Sequence, residues 1–246
     1  MRRITILPIV LAFLAPAVAF GQANEPGITK SQGDAILNEL RQIRQLLEKQ
    51  QAKAPAPQRP DGGGPAALKV GNVEWLGDKN APLTIVEFTD YQCTFCQRFH
   101  AVTFPEIKQK YIDTGKVRFL SRDFPLDFHA NAFKAAEAAR CAGEQGKFWP
   151  MRDRMVADPS HLAESDLLAH ATALGLKIDP FKACLASGKF KGAIEKEMAE
   201  ATALNVQGTP TFIVGRSTAD GVDGTMVVGA LPYAAFEAKL KEFESK

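Results

Sequence analysis

Apolar positions change their spacing several times along the chain, and each change marks a new element. The first run, "ITILPIVLAFLAPAVAF", follows Arg2 and Arg3 and is broken by Pro8 and Pro16. A charged start, a short apolar stretch and the small residues Ala17, Val18 and Ala19 have the plan of an export signal, so residues 1–21 are read as a signal peptide cut after Ala19 or Gly21. The run is short and proline-broken for a membrane anchor, and no cysteine lies near the cut to carry a lipid. Next, Ile36, Leu40, Ile43 and Leu47 recur at steps of four, three and four, with glutamate, arginine and glutamine on the other faces. That is an a/d seam, and it predicts an amphipathic helix within residues 22–53, capped at its start by Thr29 or Ser31. So short a helix is marginal alone, and its stripe needs a partner. Residues 54–67, "APAPQRPDGGGPAA", hold no apolar side chain larger than alanine. They read as a linker, stiff in its proline half and flexible at the glycines.

From Leu68 to the C-terminus the pattern is α/β. "PLTIVEFTD" is a mostly apolar, β-branched run, the mark of a central strand covered on both faces. A helix is expected from Cys96 to Asp113, kinked at Pro105. "GKVRFLSRDF" is a second strand. The alanine-rich "ANAFKAAEAARCAGEQG" opens an all-helical block at about 126–204, continued by "FWPMRDRMV", "ESDLLAHATALG", "PFKACLAS" and "KGAIEKEMAEATALN". "TPTFIVG" and "TMVVGA" give two further strands, and "PYAAFEAKLKEFES" a closing amphipathic helix.

Composition sharpens the picture only in part. The 246 residues are 46% hydrophobic and 24% charged, with a formal net charge of +2, ordinary for a globular chain. The excess charge is accounted for by Arg2 and Arg3, so no basic patch points to nucleic acid and no acidic run to a cationic partner. An exported chain meets an oxidising compartment, which gives weight to its four cysteines, Cys93, Cys96, Cys141 and Cys184. Cys141 and Cys184, distant in sequence and both in the helical block, are expected to pair as a structural disulfide, with buried free thiols the alternative.

The remaining pair sits in "VEFTDYQCTFC", at the end of the first long strand. Together with "AARCAGEQGKFW", "VQGTPTFIVG" and the "VVGA" after it, this stretch resembles the exported thiol–disulfide oxidoreductases of the DsbA family, in the branch with Thr-Pro before a strand. The resemblance covers Leu68 to the C-terminus. It implies a thioredoxin-like fold with an all-helical insertion, here preceded by the amphipathic helix and the Pro/Gly linker, and a periplasmic or otherwise extracytoplasmic location. Cys93, at a helix N-terminus, would be the attacking thiolate, its pKa lowered by unpaired N–H groups and the helix dipole. Cys96, one turn on, would resolve the mixed disulfide. The resemblance implies that Glu87, beneath the cysteines, carries a proton to and from Cys96 with a pKa raised by burial; a pleat turning Glu87 to solvent is the alternative. It also implies that Pro210 is cis and faces the cysteine pair, and that the backbone of Thr209 pairs with an incoming peptide.

Thr94 and Phe95, between the cysteines, offer at most one hydroxyl to the thiolate, where the strongest oxidants of the family carry proline and histidine. A weaker oxidant is therefore expected. No metal or organic cofactor is expected beyond the Cys93–Cys96 couple. The expected partners are unfolded or misfolded exported proteins with cysteines, a membrane redox partner, and further copies of the chain packed as a dimer or trimer through the N-terminal helix. Tethered sites around one client favour isomerisation or reduction over one-shot oxidation. Two rival readings stand beside this one. Cys93, Cys96 and His100 could be three ligands of a copper or zinc handler, or the chain could be a non-catalytic holdase or scaffold. His100, His129, His161 and His170 are otherwise expected in surface or packing roles. Trp75, Trp149 and Phe148 are read as core or groove aromatics.

Overall fold

The computed structural model describes residues 29–53, 65–70 and 75–244. The expected signal peptide and residues 54–64 of the expected linker lie outside them. The chain divides into two compact units, Met1–Gln58 and Arg59–Lys246.

In the first unit, Lys30–Lys53 form one helix, α1. Its start follows from a reciprocal cap. The Gln32 amide donates to the Thr29 hydroxyl (3.3 Å), while the Thr29 amide donates to the Gln32 side-chain oxygen (2.9 Å), so two orphan donors of the first turn are satisfied together. On the expected seam, Ile36, Leu40 and Ile43 are 48%, 55% and 51% exposed, and Leu37 beside them 52%. The side chain of Leu47 lies outside the described residues.

The second unit is a five-stranded sheet in the order β1-β5-β4-β2-β3. The strands are β1 (Pro65–Lys69), β2 (Leu83–Thr89), β3 (Val117–Asp123), β4 (Thr211–Ser217) and β5 (Gly221–Val228). β2 and β3 are parallel, and the other pairings are antiparallel. β1 corrects the linker boundary, because Pro65, Ala66 and Ala67 belong to the sheet. Its "PAALK" carries no β-branched residue, and its proline sits at the first position of an edge strand, where no ladder donor is missed. Only pairing with β5 makes it a strand.

All seven residues of β2 are buried, so its pleat sorts side chains between two cores. Leu83 and Ile85 pack with Phe99, Ile107, Phe119, Phe212 and Phe236 on one face. Val86 and Phe88 pack with Leu120, Ala201 and Ile213 on the other. Odd-numbered Glu87 therefore shares the face of Leu83 and Ile85.

The helical run after β2 comprises α2 (Thr94–Arg98), a π-helical turn (Phe99–Thr103), α3 (Phe104–Ile107) and a second π turn (Lys108–Ile112). Proline is the reason for the first widened turn. Pro105 has no N–H for the Ala101 carbonyl, and the Phe104 amide reaches back five residues to Phe99 instead. The expected helix is present, starting two residues earlier and carrying π turns in place of a simple kink.

The helical block consists of α4 (Ala132–Gly143), α5 (Phe148–Ala157), α6 (Glu164–Ala173), α7 (Ile178–Ser187) and α8 (Lys191–Ala203), and α9 (Tyr233–Glu244) closes the chain. A disulfide joins Cys141 of α4 to Cys184 of α7. Buried charges dock the block onto β3. Arg140 donates to Asp123 (2.7 Å) and Glu197 (2.6 Å), and Glu197 also receives Arg122 (2.5 Å) and the Asp123 amide (2.8 Å). No helix among the described residues is long and apolar enough to cross a membrane.

Candidate active site

The loop leaving β2 is built around Asp90. Its buried carboxylate accepts the amides of Gln92 (2.7 Å) and Leu126 (2.8 Å) and the His129 ring (2.8 Å). The Asp90 carbonyl accepts the Cys93 amide (3.1 Å). The turn is thereby fixed before the helix begins, and His129, for which the sequence suggested no partner, is one of its ties.

Cys93 is the N-cap of α2, with extended φ/ψ of −77° and 120°. Its sulfur faces the amides of Phe95 and Cys96 at a helix N-terminus. The Cys96 thiol is the strongest support for the thiolate. Partial burial opposes it, and the Thr209 hydroxyl and the two amides assist, so the Cys93 pKa is lowered from 9.0 to about 6. While protonated, Cys93 donates to the Thr209 carbonyl at 3.4 Å. Among the described residues the Thr209 hydroxyl has no other hydrogen-bond partner, so it can turn to the thiolate. Thr94 and Phe95 point outward, and Phe95 is 59% exposed beside the pair.

Cys96 differs in every respect. It is 1% exposed, and its pKa is raised well above the thiol value by burial first, then by its hydrogen bond to Cys93 and the charge of Glu87. The two sulfurs are free thiols here. The Thr209–Pro210 bond is cis, and Thr209 lies against Cys93, so the structure gathers Cys93, Cys96, Thr209 and Pro210 in one place.

Glu87 is fully buried, which removes the solvent-facing alternative, but its environment overturns the expected raised pKa. Burial does push the carboxyl up. His100 and Arg152 more than reverse that, and Glu87 is held below the ordinary carboxylate value. His100 Nε2 lies 3.0 and 2.9 Å from the two carboxylate oxygens. The guanidinium of Arg152 donates to one of them, approaches His100 Nε2 at 2.8 Å, and through Nε donates to Ser121 (2.9 Å). Burial, reinforced by Arg152, holds the His100 imidazole below its ordinary value. Glu87 is thus held as a carboxylate between two basic neighbours, the Arg152 guanidinium and the His100 ring.

His100 was thus placed too modestly in the sequence, and Arg152 was missed. His100 follows Cys96 by one turn, which put it on the right helix face. Arg152 comes from α5, 65 positions from Glu87. Its signal was faint: an arginine between Met151 and Met155 on a buried helix face. His100 Nε2, the third ligand of the metal reading, lies against the Glu87 carboxylate. No group of three or more His, Cys, Asp and Glu side chains among the described residues is arranged to hold a metal ion.

A family model described as Thioredoxin matches residues 69–227. The solved structure of alpha-DsbA1 from Wolbachia pipientis is similar with a TM-score of 0.63 and 26% identity, covering 72% of this chain and 94% of that one. BdbD from Bacillus subtilis, in its oxidised form, gives 0.60 and 25%, covering 73% and 99%. Among curated proteins, the Na(+)/H(+) antiporter NhaA 3 of Salinispora tropica is 36% identical over 161 residues, 65% of this chain and 24% of that protein. The chain spans about a quarter of the length of the curated relatives it matches.

Proposed function

The chain belongs to the thioredoxin family in its DsbA-like form, and from that premise we propose that it is a thiol–disulfide oxidoreductase that exchanges disulfides with cysteines of exported proteins through Cys93 and Cys96. The observation that carries this reading is the contrast between the two sulfurs. Cys93, with a pKa of about 6, is a thiolate at neutral pH, while Cys96 stays a thiol. Cys93 attacks a substrate disulfide, and Cys96 then attacks Cys93 and releases the substrate. The backbone at Thr209, beside cis Pro210, aligns the substrate as an added strand. The reaction moves electrons between sulfurs and needs no metal or organic cofactor.

Direction follows from how the thiolate is held. Cys96, Thr209 and backbone amides stabilise it, while the Thr94 and Phe95 side chains are turned outward. The reduced form is favoured over that of an unperturbed dithiol, but by less than in a site whose intervening residues also contribute, a poise that suits shuffling of wrong disulfides. The Cys141–Cys184 disulfide supports an extracytoplasmic site of action, where a membrane redox partner would reset the pair. The half-exposed Ile36, Leu40 and Ile43 support self-association through α1, which would hold several sites around one client.

The test is recovery of ribonuclease activity from scrambled ribonuclease, run beside insulin reduction. Reduced wild-type protein is expected to restore ribonuclease activity, and Cys93→Ala to restore none. Recovery no faster than with free glutathione would overturn the isomerase direction. Inactivity in both assays would return the chain to the non-catalytic holdase reading.

A further inference from the structure

The resolving step has a proton to move. When Cys96 attacks Cys93, the Cys96 S–H bond breaks, the Cys96–Cys93 bond forms, and the substrate sulfur leaves with the electron pair. In reverse, Cys96 departs as a thiolate and must be protonated. Cys96 is buried, and so is Glu87, the carboxylate whose charge bears on it. Neither reaches bulk water, and Glu87 is clamped as an anion by Arg152.

One side chain of the cluster does reach outward. His100 contacts both Glu87 oxygens through Nε2, and the same side chain, 9% exposed, lines a cavity of about 510 Å³ between the cysteine-bearing helical run and α5. Thr94, Gln97, Phe104, Asp153 and Ala157 also line this cavity. The charged groups bearing on the imidazole are Glu87, Arg152 and Asp153, with Arg98 and Lys108 at the cavity wall. Phe99, Phe104 and Phe119 pack around the ring.

We propose that His100 is the proton relay between Cys96 and solvent, passing the proton of the resolving step by way of Glu87 to water in this cavity. In the forward step, with the imidazole in its Nδ1–H tautomer, the proton goes from Cys96 to a Glu87 oxygen and from there to the unprotonated Nε2, while the Nδ1 proton passes to water. The departing substrate thiolate takes its own proton from solvent. The reverse step runs the same path inward. Glu87 carries the proton only in passing and returns to its ion pair with Arg152. This assignment rests on the exchange reaction proposed above.

Glutathione disulfide is the probe. Reduced protein is mixed with it, quenched in acid, and the Cys93–glutathione adduct is followed by mass. Formation reports Cys93, and decay reports Cys96. His100→Ala is expected to form the adduct at the wild-type rate and to resolve it at least about tenfold more slowly, general acid–base relays being worth that or more. Imidazole in the buffer, which fits the vacated ring space and the cavity beside it, is expected to restore the rate in proportion to its concentration. His100→Asn keeps a polar group near Glu87 without a titrating ring and is expected to be as slow as the alanine variant; it carries the test if His100→Ala does not fold. Wild-type resolution rates in either variant, or slow resolution that no imidazole relieves, would overturn the relay. Wild-type protein that forms no adduct at all would instead overturn the exchange reading on which it rests.

Discussion

At the scale of single residues, two environments divide the labour of the site. Cys93 sits where donors converge, and Cys96 where burial and a carboxylate keep its proton on. Brief alkylation of reduced protein across pH is therefore expected to label Cys93 with an inflection near pH 6, with Cys96 unreactive there; equal labelling of both would contradict the assignment. The same shift has a stability consequence. The folded pKa of Cys93 is depressed, so the stabilisation of the reduced protein is complete above the unfolded thiol value, near 9, and is lost as pH falls towards 6. The oxidised form has no such thiol, so the gap in stability between the two forms should narrow over that window. Glu87 is the residue most changed by the structure. Its carboxylate is the counter-ion of a fully buried guanidinium, and Glu87→Gln strands that charge. Urea unfolding is expected to find the variant less stable by about 3 kcal/mol, whereas a loss near zero would mean that Arg152 is compensated elsewhere. The sequence marked Glu87 as buried, because a central strand covered on both faces leaves its middle side chains no route to solvent. It predicted the shift in the wrong direction, because burial alone raises a carboxyl, and the reversal depends on His100 and on an arginine brought in from α5 by tertiary packing.

At the scale of elements, legibility followed local periodicity. β2, β3, β4, β5 and the helices from α4 to α9 announced themselves through runs of two-fold or helical spacing, and the cysteine pair stood at a strand-to-helix junction where the chemistry needs it. β1 was not legible, since nothing in "PAALK" favours a strand until β5 lies beside it. The π turns were half legible, because Pro105 foretold a defect but not its form. The helical block depends on its own small-residue core and on the bridge between α4 and α7. Cys141 and Cys184 are 43 positions apart, and closing a loop of that size is worth about 4 kcal/mol on the chain-entropy model. The double Cys→Ser variant is expected to unfold at correspondingly lower urea, with Cys93 reactivity unchanged because its supports come from α2 and Thr209. A shifted Cys93 inflection in that variant would show that the block shapes the thiolate.

At the scale of the whole molecule, the seam on α1 and the DsbA-like unit raise the question of assembly. Ile36, Leu40 and Ile43 are apolar and half-exposed at a/d spacing, a cost that pairing with further copies would relieve. Light scattering on protein lacking residues 1–21 is expected to give an oligomer, and protein beginning at Arg59 a monomer. A monomer in both cases would reject self-association and leave the exchange chemistry standing. That chemistry is the central claim, and one trap tests it. Reduced Cys96→Ala protein, mixed with scrambled ribonuclease, is predicted to accumulate a covalent adduct through Cys93 that reductant releases and that Cys93→Ala does not form. No adduct, or one that forms equally without Cys93, would contradict the account.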